Sequence, residues 1–205
     1  MKVAVFASGS GTDFLALVQA SQKSDLGWNV ALLITNNPEA GAIEKAKAHS
    51  IPYRIINRGD FSDGEQFLTE LLDALDEYGV DFIALAGYLR KIPPGLIRKF
   101  PNRMINIHPA LLPAFGGKGL YGEKAHQEVI DTGCKVSGLT IHIVNEEYDR
   151  GPIVAQKTVI VEDDDTAVTL GARILEEEHK LYPEVLTWFA KNKVVVQGNK
   201  TKILD

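Results

Sequence analysis

The chain has 205 residues, 45% of them hydrophobic, and a formal net charge of -5. This length and composition suffice for one domain with a sizeable core, and the acidic balance argues against nucleic-acid or membrane-surface binding. The single Cys134 cannot form an internal disulfide, and no apolar run reaches the about 20 residues of a membrane span. Because the chain begins without a signal-peptide pattern, we expect a cytoplasmic protein.

The N-terminal half alternates short apolar strands with amphipathic helices. Strands are predicted at residues 2–7, 30–35, 53–56, 82–86 and 104–108, and helices from about residue 14, at 41–49 and at 64–78. Continuous apolar strands that alternate with helices indicate a parallel sheet covered on both faces.

The pattern changes after residue 108. A loop over 109–122 leads to a helix at 123–132, and strands at 136–144 and 153–161 are separated by only a turn, which predicts antiparallel pairing. A helix at 166–190 and a hairpin with Gly198-Asn199 at its turn follow. We predict one domain, 1–205, with an open, mostly parallel Rossmann-like α/β sheet whose C-terminal strands are antiparallel.

A Gly-rich turn, SGSGTD from Ser8 to Asp13, connects the first strand to the first helix. Free backbone N–H groups and the helix dipole at such a turn favour a phosphate. No Gly-Lys-Ser/Thr follows, and Phe14 occupies the third glycine position of a dinucleotide fingerprint. The turn therefore favours a single phosphate over a dinucleotide, and a turn without a ligand is the alternative.

Two polar residues stand at the end of the fifth strand, in MINIHP. Asn106 and His108 share one strand face because side chains alternate with a period of two, and open α/β sheets build their sites at this end. A carboxylate in the turn between the two long strands, Asp149, would raise the pKa of His108 above its ordinary value. The amide of Asn106 could donate to an oxyanion. These groups suit acyl transfer without a nucleophilic residue; a structural histidine is the alternative.

The chain resembles the folate-dependent phosphoribosylglycinamide formyltransferase family in five segments, SGSGT, LAGYLRKIP, INIHPALLP, EEYDRGP and EEEHKLYP. The segments occur in the same order as in the family, and the similarity extends to about Trp188. The resemblance implies direct transfer of a formyl group from 10-formyltetrahydrofolate to the amine of 5'-phosphoribosylglycinamide in de novo purine synthesis. It implies that His108 is the general acid, that Asn106 donates to the formyl oxygen, and that Asp149 raises the pKa of His108 and relays protons.

The resemblance also implies the binding residues. Its phosphate-binding part lies in the N-terminal half, and its folate-binding and catalytic part in the C-terminal half. The ribonucleotide would be held by Gly11, Thr12, Asp13 and Glu178, and the folate by Leu89, Arg90, Lys91, Ile92, Asn106, Asn145 and Glu146. His142 would support the site or belong to the core. The expected partners are these small molecules, without nucleic acid, membrane or metal, for a monomer or homodimer.

Two positions depart from the family pattern. Asp13 stands where the family usually has Asn, and a carboxylate beside a phosphate is unfavourable unless it turns away or caps the helix. Gly64 stands where an arginine is expected to approach the phosphate, and Lys118 is a plausible replacement. The acidic run at 162–165 is predicted to cap the following helix rather than to bind a metal.

The sequence also allows other functions within and outside this class. A methionyl-tRNA formyltransferase would carry a basic C-terminal domain, and a formyltetrahydrofolate hydrolase an N-terminal regulatory domain. Length alone does not exclude a sugar-nucleotide formyltransferase, although the SGSGT turn favours a phosphoribosyl substrate. A non-catalytic nucleotide-binding module would not need Asn106, His108 and Asp149 together.

Overall fold

Strands and helices alternate through most of the chain in the computed structural model, which describes residues 1–23, 25–117 and 119–205. The elements up to the fifth strand are β1 (Lys2–Phe6), α1 (Thr12–Lys23), β2 (Asn29–Thr35), α2 (Gly41–Ala48), β3 (Tyr53–Ile55), a 3₁₀ turn (Arg58–Asp60), α3 (Gly64–Glu77), β4 (Phe82–Leu85), α4 (Pro94–Lys99) and β5 (Met104–His108). The later elements are α5 (Glu123–Asp131), β6 (Val136–Ile143), β7 (Ile153–Ile160), α6 (Ala167–Ala190), β8 (Val194–Gln197) and β9 (Lys200–Ile203).

Hydrogen bonds join seven strands in the order β3-β2-β1-β4-β5-β6-β7, and β8 pairs with β9 in a separate hairpin. β1 is parallel to both β2 and β4, whereas β6 and β7 are antiparallel. The predicted fold class, a mostly parallel sheet with antiparallel C-terminal strands, is confirmed. The chain divides into two compact units, 1–105 and 106–205.

The first unit is built around β1, whose residues from Val3 to Phe6 are fully buried. An apolar strand with parallel neighbours on both sides must be covered on both faces, which explains its continuous run of apolar residues. Asp63 caps α3 by accepting from the backbone N–H groups of Glu65 and Gln66. The sequence did not predict the short α4 or the 3₁₀ turn.

The second unit contains the antiparallel pair. The register pairs Val136 with Ile160, and a bulge between Ile141 and His142 shifts the pairing so that His142 lies opposite Ile153. A bulge bends a strand and re-aims its side chains. It occurs here at a residue that the sequence assigned to the site.

The start of α6 differs from the sequence prediction. Thr166 is the N-cap, and it forms a capping box with Thr169, so the acidic run does not supply the cap. Asp165 instead accepts hydrogen bonds from Thr169 Oγ1 and from the guanidinium of Arg173. This ion pair lowers the pKa of Asp165 below its ordinary range. None of the helices in the described residues is long and apolar enough to cross a membrane.

Candidate active site

The Gly-rich turn of the first unit is followed at once by a helix. α1 begins at Thr12, two residues earlier than predicted, so Thr12 and Asp13 lie in its first turn. Gly11 has a φ of 73°, and a Cβ at this position would lie 2.6 Å from the Cβ of Ala42 at the start of α2. A side chain at Gly11 would therefore be excluded both by the backbone conformation and by the contact with α2. The turn presents the N-terminal N–H groups of α1, which favour an anion.

The carboxyl group of Asp13, in the first turn of α1, is an unusually weak acid. Burial raises the pKa of Asp13 from 3.8 to about 7. Near neutral pH the group is therefore partly protonated, and a protonated carboxyl can donate a hydrogen bond. The unfavourable charge that the sequence implied beside a phosphate is reduced accordingly.

Ser8 was not singled out from the sequence, yet it connects three strand ends. Its hydroxyl donates to Asn36 Oδ1, after β2, and accepts from the backbone N–H of Leu89, after β4, at 2.9 Å. Its backbone carbonyl accepts from Asn37 Nδ2 at 3.2 Å. Ser8 is buried, and a small hydroxyl that bonds to both neighbouring loops fixes their conformation. A small polar residue at the end of a central strand was the only signal in the sequence.

The segment assigned to folate follows β4. Leu89, Arg90 and Lys91 are exposed, with 53% of the Leu89 surface accessible, whereas Ile92 is buried. An exposed leucine held at its backbone N–H by Ser8 is an apolar contact surface with a fixed main chain.

Four of the predicted residues meet in the second unit. His108 Nδ1 lies 3.9 Å from Asp149 Oδ2, and His142 Nε2 lies 3.5 Å from Asp149 Oδ1. Asn106 Nδ2 is 3.1 Å from His142 Nε2. His108 and His142 are both almost fully buried. The structure thus places two imidazoles beside one carboxylate, with the Asn106 amide against His142.

A hydrogen-bond partner decides where the neutral His108 ring carries its proton. His108 Nε2 is 2.7 Å from the carbonyl oxygen of Phe115, which can only accept, so Nε2 holds the proton of the neutral ring. The nitrogen that gains a proton is therefore Nδ1, on the side of Asp149. His142 Nδ1 lies 3.0 Å from the carbonyl oxygen of Ile143, and His142 Nε2 lies close to both Asn106 Nδ2 and Asp149 Oδ1.

The predicted direction of the His108 pKa was wrong. Burial lowers the pKa of His108 below 6.5, and the opposing effects of Asp149 and of the Phe115 carbonyl do not overcome it. Asp149 does act in the predicted direction, but in the ligand-free protein the loss of solvation is larger. Although burial raises the pKa of Asp149, its contacts with His142 and Gly117 leave it below its ordinary value.

Asp149 lies in a loop with a constrained backbone. Its φ is 53°, in the left-handed region that Asp adopts more readily than most residues. Its Oδ2 accepts from the backbone N–H of Gly117 at 2.8 Å. Asn145, at the start of the loop, accepts from the N–H of Glu147 at 3.1 Å, and Glu146 is exposed.

Glu178 and Lys118 are the other two residues predicted to bind the substrate. Glu178 is buried on α6, with only 6% of its surface accessible, although the sequence also allowed a solvated helix acid. Lys118 lies outside the described residues. Among those residues, the structure contains no cluster of three or more His, Cys, Asp or Glu side chains that could hold a metal ion.

An imidazole, a carboxylate and an amide that converge at the end of a strand in a Rossmann-like sheet can transfer a proton and stabilise an oxyanion, which acyl transfer requires. A sequence model of the formyl transferase family matches residues 1–186. The chain belongs to this family.

Several individual relatives are named phosphoribosylglycinamide formyltransferase. The chain is 47% identical over 195 residues to the chloroplastic phosphoribosylglycinamide formyltransferase of Arabidopsis thaliana. The aligned region covers 94% of this chain and 66% of that protein, so the chain spans slightly less than two thirds of this relative's length. It is 39% identical to phosphoribosylglycinamide formyltransferase of Bacillus subtilis (strain 168), over 90% of this chain and 92% of that one. The crystal structure of glycinamide ribonucleotide transformylase 1 from Symbiobacterium toebii matches with a TM-score of 0.94 at 36% identity, covering 100% of this chain and 94% of that chain.

Proposed function

We propose that the protein transfers a formyl group from 10-formyltetrahydrofolate to the amine of 5'-phosphoribosylglycinamide, a step of de novo purine synthesis. The observation that carries this proposal is the cluster of Asn106, His108, His142 and Asp149 in a member of the formyl transferase family. The names of the relatives in Arabidopsis thaliana and Bacillus subtilis support the choice of acceptor.

Direct transfer needs no covalent intermediate on the protein. The amine of the ribonucleotide attacks the formyl carbon, the bond from that carbon to N10 of the folate breaks, N10 gains a proton and the amine loses one. The chain must therefore supply a proton, stabilise the developing negative charge on the formyl oxygen, and accept a proton.

His108 supplies the proton from Nδ1, because Nε2 is held by the carbonyl of Phe115. Asn106 has two amide N–H groups, and since one contacts His142 the second can donate to the formyl oxygen. Asp149 stabilises the protonated form of His108 and accepts the proton released by the amine.

The binding roles form part of the same proposal. Gly11, Thr12 and Asp13 hold the phosphate, with Lys118 in place of the arginine expected at Gly64. Buried Glu178 contacts the ribonucleotide. The folate lies against the exposed segment Leu89, Arg90 and Lys91, buried Ile92, and the loop residues Asn145 and Glu146.

We further propose one formyltransferase domain, whose N-terminal half binds phosphate and whose C-terminal half binds folate and carries out catalysis. The free Cys134 fits a reducing compartment such as the cytoplasm. The protein would act on small molecules, without nucleic acid or membrane, as a monomer or homodimer.

A spectrophotometric assay tests the activity. The folate absorbance should change only when both 10-formyltetrahydrofolate and 5'-phosphoribosylglycinamide are present. A change without the acceptor would indicate a hydrolase, and a change with only an amino sugar nucleotide or methionyl-tRNA would indicate the corresponding formyltransferase. His108→Ala should remove most turnover, and His49→Ala, in the first unit, is the matched control. No formyl transfer to the ribonucleotide by the wild-type protein would refute the proposal.

A further inference from the structure

The C-terminal hairpin, β8 and β9, lies outside the part of the chain that the family model matches. It nevertheless makes a specific contact with the second unit's sheet. The hydroxyl of Thr201 on β9 donates to the backbone carbonyl of Ile153 at 2.8 Å. The hairpin is closed on itself by the N–H of Leu204, which donates to the carbonyl of Lys193 at 2.8 Å.

The acceptor of this bond lies on the strand that pairs with the one carrying His142. Ile153 is the first residue of β7, and in the register of the sheet it lies opposite His142. β7 is the last strand in the order of the seven-stranded sheet, so one of its edges is not paired with another strand of that sheet. A backbone carbonyl on such an edge needs another partner, and Thr201 provides it.

The loop between Asp149 and Ile153 is fixed at one end by the sheet. A Cβ at Gly151 would lie 1.8 Å from the carbonyl oxygen of Ile143, so the loop touches the end of β6 there. The N–H of Ile143 also donates to the carbonyl of Pro152 at 2.9 Å. Asp149 itself has a φ of 53°, a conformation that surrounding contacts must maintain.

On its other side the loop faces a hollow of about 460 Å³. Asp149, Gly151, Ile153 and Thr201 all line this hollow. Since open space cannot fix a loop by packing, the hydrogen bond from Thr201 restrains the Ile153 end of the loop on that side, in addition to the bond from the Gly117 N–H to Asp149.

We propose that Thr201 is a positioning residue, which acts through Ile153 to hold the loop so that the Asp149 carboxylate faces His108 and His142. The proposal rests on the proposed function only for its rate measurement. The distance from His108 Nδ1 to Asp149 Oδ2 is 3.9 Å, so outward movement of the loop weakens their attraction.

The test compares Thr201→Val with Thr201→Ser and with Thr158→Val. Valine keeps the shape of threonine and removes the hydroxyl, serine keeps the hydroxyl, and Thr158 is an exposed threonine on β7. The first measurement is a titration of His108 by NMR in the ligand-free protein. Thr201→Val should lower the pKa of His108, whereas the other two variants should leave it unchanged.

The second measurement is kcat as a function of pH. Because one hydrogen bond changes an equilibrium about three- to tenfold, Thr201→Val should lower kcat by about that factor, mostly on the alkaline side. The KM for the ribonucleotide should stay the same, since the contacts of the Gly-rich turn are untouched. Circular dichroism and NMR spectra verify that each variant is folded.

An unchanged His108 pKa in folded Thr201→Val would overturn the proposal, as would an equal loss in Thr201→Ser. If Thr201→Val unfolds, Thr201→Cys is measured instead, with the same pKa criterion. The titration does not depend on turnover, so absence of formyl transfer by the wild-type protein would refute the proposed function while leaving the positioning role to be decided by NMR.

Discussion

Replacing Asp13 with asparagine should make the protein more stable, and more so at alkaline pH. The pKa of Asp13 is raised from 3.8 to about 7, so the folded protein holds this proton over a range in which the unfolded chain has released it. Stability therefore falls as the pH rises from the unfolded toward the folded pKa, and the full loss is present above pH 7. Asparagine keeps the shape and has no charge, so it avoids this loss.

The size of the effect follows from the pKa. A rise from 3.8 to about 7, at 1.36 kcal/mol per pKa unit, corresponds to a destabilisation of about 4 kcal/mol above pH 7. Although Asp13 Oδ1 is buried, the residue as a whole is only half-buried, so solvent reduces this value. We expect the advantage of Asp13→Asn over the wild-type protein to grow by about 1 to 3 kcal/mol between pH 5 and pH 8.

Urea denaturation followed by circular dichroism at several pH values measures this difference directly. The matched control is Asp73→Asn, which removes an exposed carboxylate on α3 and so measures the effect of losing a surface charge. Equal unfolding free energies for Asp13→Asn and the wild-type protein at pH 8 would refute the reasoning. A constant advantage across the pH range would likewise show that the pKa of Asp13 is not raised.

Three further outcomes are expected. The KM for the ribonucleotide should rise above pH 7 in the wild-type protein, because ionised Asp13 repels the phosphate. If Asp13 is the cause, the KM of Asp13→Asn, measured by the same assay, should not rise over this pH range. Asp149→Asn should lower the protonated fraction of His108 at least about fivefold, since opposite charges about 4 Å apart attract by about 1 kcal/mol even at the dielectric constant of water. If NMR shows an unchanged or raised His108 pKa in this variant, Asp149 does not have its assigned role. Lys118→Ala should raise the KM for the ribonucleotide and leave folate affinity unchanged, and equal weakening of both ligands would point to a collapsed loop instead.

The fold could be predicted where a pattern extends over several residues. Apolar runs and amphipathic segments gave the parallel strands and the long helices, and the turn between β6 and β7 gave their antiparallel pairing. α4 has 6 residues and the 3₁₀ turn has 3, which is too short for a helical period to show. The start of α1 was placed late because the turn residue is Gly11, so Thr12 and Asp13 already belong to the helix.

For the candidate site, sequence reasoning worked for neighbours along a strand. The period of two placed Asn106 and His108 on one face, and both contact the same cluster in the structure. The carbonyl of Phe115 and the N–H of Gly117, which complete this cluster, were not predicted. Main-chain groups leave no mark in the residue types, so their positions can be known only once the loop conformation is known.

The pKa of His108 could not be predicted correctly from the sequence. The sequence identified the carboxylate that attracts a proton to the ring, but the net pKa also depends on how completely the ring is removed from water, which only the folded chain determines. Because Nε2 is bound to the carbonyl of Phe115, the ring gains its second proton at Nδ1. Nδ1 faces Asp149, so the attraction of that carboxylate is the main effect that opposes the lowering of the His108 pKa by burial. Bound ligands would bury the ring further and lower its pKa again, so the effect of Asp149 on turnover should be larger than its effect on the ligand-free histidine. A variant that moves Asp149 without removing its charge should therefore impair catalysis nearly as much as one that neutralises it.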